Sequence, residues 1–115
     1  MLKCHCRDCQ RVRGGPYAPV VVVRLSPFRI TSGKLQRHAT TRANGRRNLR
    51  SFCAECGSRL TVGEDAERGV LGLMASSLDD ASWFKPAMDI SVCDAQPWDL
   101  MDADLPKHQQ YMPRR

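Results

Sequence analysis

Six residues near the start of the chain, "CHCRDC", bring Cys4, Cys6 and Cys9 together, and nothing else in the 115 residues limits the fold as tightly. A second cluster, "CAEC", follows at Cys53 and Cys56. Disulfides account poorly for these five cysteines. Cys4 and Cys6 are two positions apart and can hardly bridge each other, so all three thiols of the triplet would need separate partners. The N-terminus "MLKCHCRDC" carries no apolar signal segment, which predicts a cytoplasmic protein whose cysteines stay reduced. Metal binding or thiol chemistry is the expectation that remains.

Zinc binds thiolates tetrahedrally, and its structural sites fill all four corners with protein ligands. "CAECGS" offers two of them from one turn, with Gly57 letting backbone amides come close to the sulfurs. "CHCRDC" offers three, which can cap three corners and leave the fourth for water or substrate, the mark of a catalytic site. A different arrangement joins Cys4 and Cys6 to Cys53 and Cys56 in one closed site and leaves Cys9 free. Spacing favours neither. Cys93, alone in "ISVC", reads as a core thiol.

The net charge of +6 is unevenly spread: residues 1–50 hold twelve Lys or Arg and one acid, residues 51–115 six against eleven. A basic half attracts nucleic acid or a small anion, and it equally forms a solvated face. The hydrophobic fraction of 42% suits a globular protein. The longest apolar run, "APVVVV", is strand-sized, so no membrane helix is expected. The length fits one domain over residues 1–106, with "KHQQYMPRR" at 107–115 as a loose tail.

Strand signals dominate. "APVVVVRL" (18–25) reads as a buried strand, and "FRITSGKLQRHATT" (28–41) as two strands around Ser32-Gly33, with Phe28 and Ile30 on one face. An Asn44-Gly45 turn leads into a strand that reaches Cys53. "RLTVG" and "GVLGLMA" are short strands around the polar tip 64–68. Residues 78–84 suggest a helical turn capped by Asp79 or Asp80, "PAMDISV" (86–92) a strand, and "QPWDL" (96–100) a second helical turn. Gly14 and Gly15 suggest a tight bend after the metal loop. Trp83, Phe84 and Trp98 read as core or rim aromatics.

In order along the chain, "CHCRDCQRVRGGPYAP", "FRITSGKLQRH", "SFCAECGSRL", "ASSLDDASWFKPAMDISV", "QPWDL" and "DLPKHQQY" resemble the glutathione-dependent formaldehyde-activating enzyme family, which includes centromere protein V. The resemblance covers essentially the whole chain. It implies an all-β fold of the Mss4-like type, with folded-over antiparallel sheets, short helical turns and stabilising zinc. It also implies a catalytic zinc on Cys4, Cys6 and Cys9 with an open position. Cys53 and Cys56 match half of the family's structural zinc site. The other half, a Cys-x-Cys on an N-terminal strand, has no counterpart here, because Met1 falls three residues before the triplet. The expectation is a truncated start, with a second zinc only where its missing ligands are supplied.

The family reaction joins glutathione and formaldehyde into S-hydroxymethylglutathione, a carbon–sulfur lyase reaction in its reverse sense. The resemblance therefore implies glutathione as co-substrate and a small aldehyde as its partner. Arg7, Arg11 and Arg13 lie beside the triplet as candidates to hold its carboxylates, and His5 is a candidate for proton transfer. The competing reading is a zinc module without catalysis that contacts nucleic acid or chromatin through its basic half. Against it, Tyr17 is the sole aromatic before Phe28, few for stacking on bases. An unfilled strand position would leave an exposed edge and favour a homodimer.

Overall fold

A computed structural model describes residues 1–42 and 44–111. In chain order its elements are β1 (Leu2–Cys4), α1 (Arg7–Arg13), β2 (Ala18–Arg24), β3 (Leu35–Thr41), β4 (Arg47–Cys53), β5 (Arg59–Asp65), β6 (Val70–Met74) and β7 (Asp89–Ile90), with 3₁₀ turns at Ala75–Ser77 and Val92–Asp94. The architecture is mostly β with few short helical pieces, in agreement with the Mss4-like expectation. The chain forms two compact units, residues 1–20 with the described residues from 82 onward, and residues 21–81.

In the first unit β1 is the middle strand. It pairs antiparallel with the opening of β2 (Leu2↔Val20, Cys4↔Ala18) and parallel with β7 (Lys3↔Asp89, Cys4↔Ile90). The parallel pair departs from the expected antiparallel arrangement. No hairpin joins β1 to β7, so no turn imposes an antiparallel direction. Leu2, Cys9, Ala18, Val20 and Ile90 are buried; each large side chain among them contributes roughly 1.5–3 kcal/mol of burial. Residues 106–110 run beside β7: Asp89 N–H donates to Pro106 O, His108 N–H to Asp89 O, and Ser91 N–H to Gln110 O, at 2.9, 2.9 and 2.6 Å. Of the proposed tail, residues 107–111 lie within the description and 112–115 lie outside it.

α1 is the element that the sequence reading lacks. Where a loop and a glycine bend are expected, residues 7–13 are helical, and Gly14 at φ 73° is the left-handed cap whose N–H donates to Gln10 O. The helix buries only Cys9 and Gln10, so no apolar stripe announces it.

In the second unit β3, β4, β5 and β6 form antiparallel pairs in sequence, and the later residues of β2 follow β6 in the strand order. Asn44-Gly45 turns the chain into β4 as expected, with Gly45 at φ 82°. Gly63, at φ 66° in the irregular stretch of β5, donates its N–H to Asn48 Oδ1 at 3.0 Å. Val62, Leu71, Met74 and Ala75 are buried, and the hydroxyls of Ser51 and Thr61 hydrogen-bond beneath the strands.

Several expectations are corrected. Phe28–Ile30 is not a strand; Arg29 folds back locally to donate to Ser26 O and Phe28 O. The 3₁₀ turn falls at 75–77, ahead of 78–84, where Ser77 Oγ donates to Met74 O. "PAMDISV" is strand only at Asp89–Ile90, because Ser91 adopts a left-handed backbone (φ 56°) that ends it. β2 is buried in its first half alone, and Val22 is exposed. Cys93 is exposed rather than a core thiol. Trp83 and Trp98 are exposed, so neither belongs to the core.

Candidate metal centre

Three neighbouring pieces of backbone carry the triplet. Cys4 ends β1, Cys6 is the N-cap of α1, and Cys9 lies in its first turn. An N-cap side chain accepts from an amide that the helix leaves unpaired. Here the acceptor is sulfur: Cys9 N–H donates to Cys6 Sγ at 3.3 Å. The cap thereby turns both sulfurs to one side, and the strand end brings the third. All three Sγ atoms lie within 4.8 Å of one another.

Such a cluster could hold a metal ion, and its chemistry asks for one. Hydrogen bonds with Cys6 and Cys9, burial, and the charge those neighbours carry when ionised hold the Cys4 thiol well above its ordinary value. A cation placed beside such a thiol stabilises its thiolate and releases the proton. An all-sulfur donor set in this tight geometry suits zinc among common biological cations. Among the described residues, this is the one group of three or more His, Cys, Asp or Glu within such reach, and Cys53 and Cys56 are not in it. The triplet is thus a group of three possible donors within the first unit, and Cys53 and Cys56 belong to the second.

A polar framework surrounds the triplet. Gln10, buried, donates from Nε2 to His5 O at 2.6 Å and to Asp94 O at 2.9 Å, while its Oε1 accepts from Gln96 and Arg7. His5 is fully buried, with Nε2 2.8 Å from Asp89 Oδ1 and Nδ1 2.6 Å from Asp99 Oδ2. Lys107 Nζ donates to Asp89 Oδ2 at 3.1 Å, and Lys3 Nζ lies 3.5 Å from Oδ1 of the same carboxylate. Burial pushes Asp89 up, but the bonds from His5 and Lys107 and the Lys3 charge outweigh it and leave the carboxyl below its ordinary value. None of Asp89, Asp99 and Lys107 stands out in the sequence as a site residue. The available signal was an aspartate inside the alternating "AMDISV", where a charge facing the core needs a partner.

Along α1, a cavity of about 280 Å³ is lined by Arg7, Gln10, Arg11, Gly14, Gly15 and Trp98. Arg7 and Arg11 thus share one wall, while Arg13 is not part of the lining.

In the second unit Cys53 ends β4 and Cys56 follows in a tight turn. Cys53 N–H donates to Ser58 O and Gly57 N–H to Cys53 O, both at 2.9 Å, with Gly57 at φ 76°. Hydrogen bonds from the Ser58 side chain, 3.2 Å from Cys56 Sγ, and from its backbone hold the exposed Cys56 thiol below its ordinary value. Both cysteines thus belong to one strand end and the turn that follows it.

No curated protein matches the chain. A family model described as glutathione-dependent formaldehyde-activating enzyme matches residues 1–94, a span that holds both cysteine clusters and every strand of the fold. With a triplet geometry suited to thiol–metal chemistry and that match over most of its length, the chain belongs to the glutathione-dependent formaldehyde-activating enzyme family.

Proposed function

We propose that this protein is a zinc-dependent carbon–sulfur lyase-like enzyme that adds a thiol, glutathione in the first instance, to formaldehyde or a related small aldehyde. The observation that carries the reading is the triplet itself: three sulfurs within 4.8 Å of one another, with no fourth His, Cys, Asp or Glu grouped with them among the described residues. A zinc ion held by Cys4, Cys6 and Cys9 would keep a fourth position for the incoming thiol and lower its pKa toward neutrality. In the addition, one S–C bond forms and the carbonyl π bond breaks. The thiol gives up its proton and the aldehyde oxygen gains one from solvent, so no electrons are exchanged with a further reactant.

Binding and orientation fall to the cavity beside α1. Glutathione carries two carboxylates and one ammonium, and Arg7 and Arg11 give that wall the complementary charge. Trp98, more than half exposed, offers a flat apolar rim for the peptide portion. Arg7 sits directly after Cys6, which links the cavity wall to the triplet along the chain. Holding the thiol close to the ion would turn an encounter of two small molecules into a local event.

The test uses ¹³C-formaldehyde and glutathione, whose spontaneous exchange with S-hydroxymethylglutathione is read by magnetisation-transfer NMR. Zinc-loaded protein accelerates the exchange, and Cys6→Ser abolishes the effect. Arg11→Ala raises the glutathione KM about tenfold, the worth of one lost charge-assisted contact, with kcat nearly unchanged. An exchange rate that zinc-loaded protein leaves untouched overturns the proposal.

A further inference from the structure

His5 stands between two metal-ligating positions, and every polar group it owns is engaged. Its N–H donates to Ile90 O at 3.0 Å, and its carbonyl accepts from Gln10 Nε2 at 2.6 Å. Asp89 faces one ring nitrogen and Asp99 the other. The ring also packs against Tyr17, centroid to centroid 5.5 Å, and is wholly shut off from solvent. A residue that takes a proton from a substrate needs a ring nitrogen turned toward that substrate. Here neither nitrogen has a free side.

The carboxylates are themselves held. Asp89 is fixed by Lys107 and Lys3, and Lys3 in turn lies over the Tyr17 ring at 5.1 Å. Asp99 and Lys107 lie beyond residue 94, outside the span that matches the family. An imidazole gripped from both sides cannot rotate, so the backbone at His5 is pinned, and with it the directions in which Cys4 and Cys6 leave the chain. Outer partners of this kind orient metal ligands and tune affinity.

We propose that His5 is a positioning residue, clamped between Asp89 and Asp99 to set the spacing of Cys4 and Cys6 around the ion, and that the segment from Asp99 to Lys107 is thereby a working part of the metal centre. The proposal rests on the metal-binding part of the function proposed above, but not on its substrates.

The test replaces zinc by cobalt(II) in the full-length protein and reads two quantities: affinity, by competition with a chelator, and the pattern of visible ligand-field bands. Asp99→Ala weakens cobalt binding about tenfold and shifts the bands, while Asp99→Asn, which keeps an accepting oxygen in place, stays within about threefold of the parent. Val62→Ala, a core truncation in the other unit, lowers thermal stability without moving either readout. Should Asp99→Ala not fold, His5→Gln, which keeps one donor and loses the contact with Asp99, is read in its place and gives the same direction of change. Parent affinity and unshifted bands in the variant read overturn the clamp alone. A parent protein that binds no cobalt overturns the metal reading beneath it.

Discussion

Asp89 shows how much one buried carboxylate can carry. It is fully buried, touches His5, Lys3 and Lys107 together, and its backbone pairs β1 with β7. Its folded pKa lies below the ordinary aspartate value, so the stability it contributes is complete above that value and is lost as pH falls through the lower, folded one. Metal-free protein in urea therefore loses stability below about pH 4, and Asp89→Asn removes that part of the acid dependence. At neutral pH the same variant is less stable by about 3 kcal/mol, because two lysines and a histidine lose a shared charge. A parent whose stability is flat between pH 5 and 3, or an Asn variant with the parent's acid slope, contradicts this account. The sequence marks His5 as chemically notable because it sits inside the triplet. Its partners were not legible, since they lie 84 and 94 residues along the chain and only the folded strands bring them near.

Among the elements, α1 does the most for the site with the least sequence signal. Seven residues, two of them buried, gain little from packing, so their helicity depends on the ends. At one end Cys6 accepts the Cys9 amide; at the other Gly14, at φ 73°, closes the last turn. No atom stands within 4 Å of where a Cβ at Gly14 would lie, so Gly14→Ala tests the backbone alone. It costs about 1–2 kcal/mol of stability in urea unfolding and weakens metal binding, since the helix start holds two of the three sulfurs. Equal stability of the two proteins refutes this view of the cap. Strands were legible where residue type and turn chemistry agreed: the Asn44-Gly45 turn, β4 running into Cys53, and the pair β5–β6 around its polar tip all fall where they were read. Reading failed where a polar side chain or a left-handed residue overrode local preference, as Ser91 does in cutting β7 to two residues.

For the molecule as a whole, the family match ends at residue 94, yet the chain continues past it with Asp99 and Lys107 bonded to the histidine and aspartate beside the triplet. Its two cysteine groups differ in kind. The triplet forms a three-donor cluster within one unit, whereas Cys53 and Cys56 offer two donors from a turn in the other. Zinc at the triplet should therefore survive the loss of that turn. X-ray absorption at the zinc edge of the Cys53→Ser/Cys56→Ser protein, recorded before and after adding glutathione, tests the central claim most directly. The account expects one zinc per chain with three sulfur neighbours and one lighter atom, rising to four sulfurs once the thiol is added. Four sulfurs without added thiol, an unchanged shell after it, or no bound zinc would contradict it.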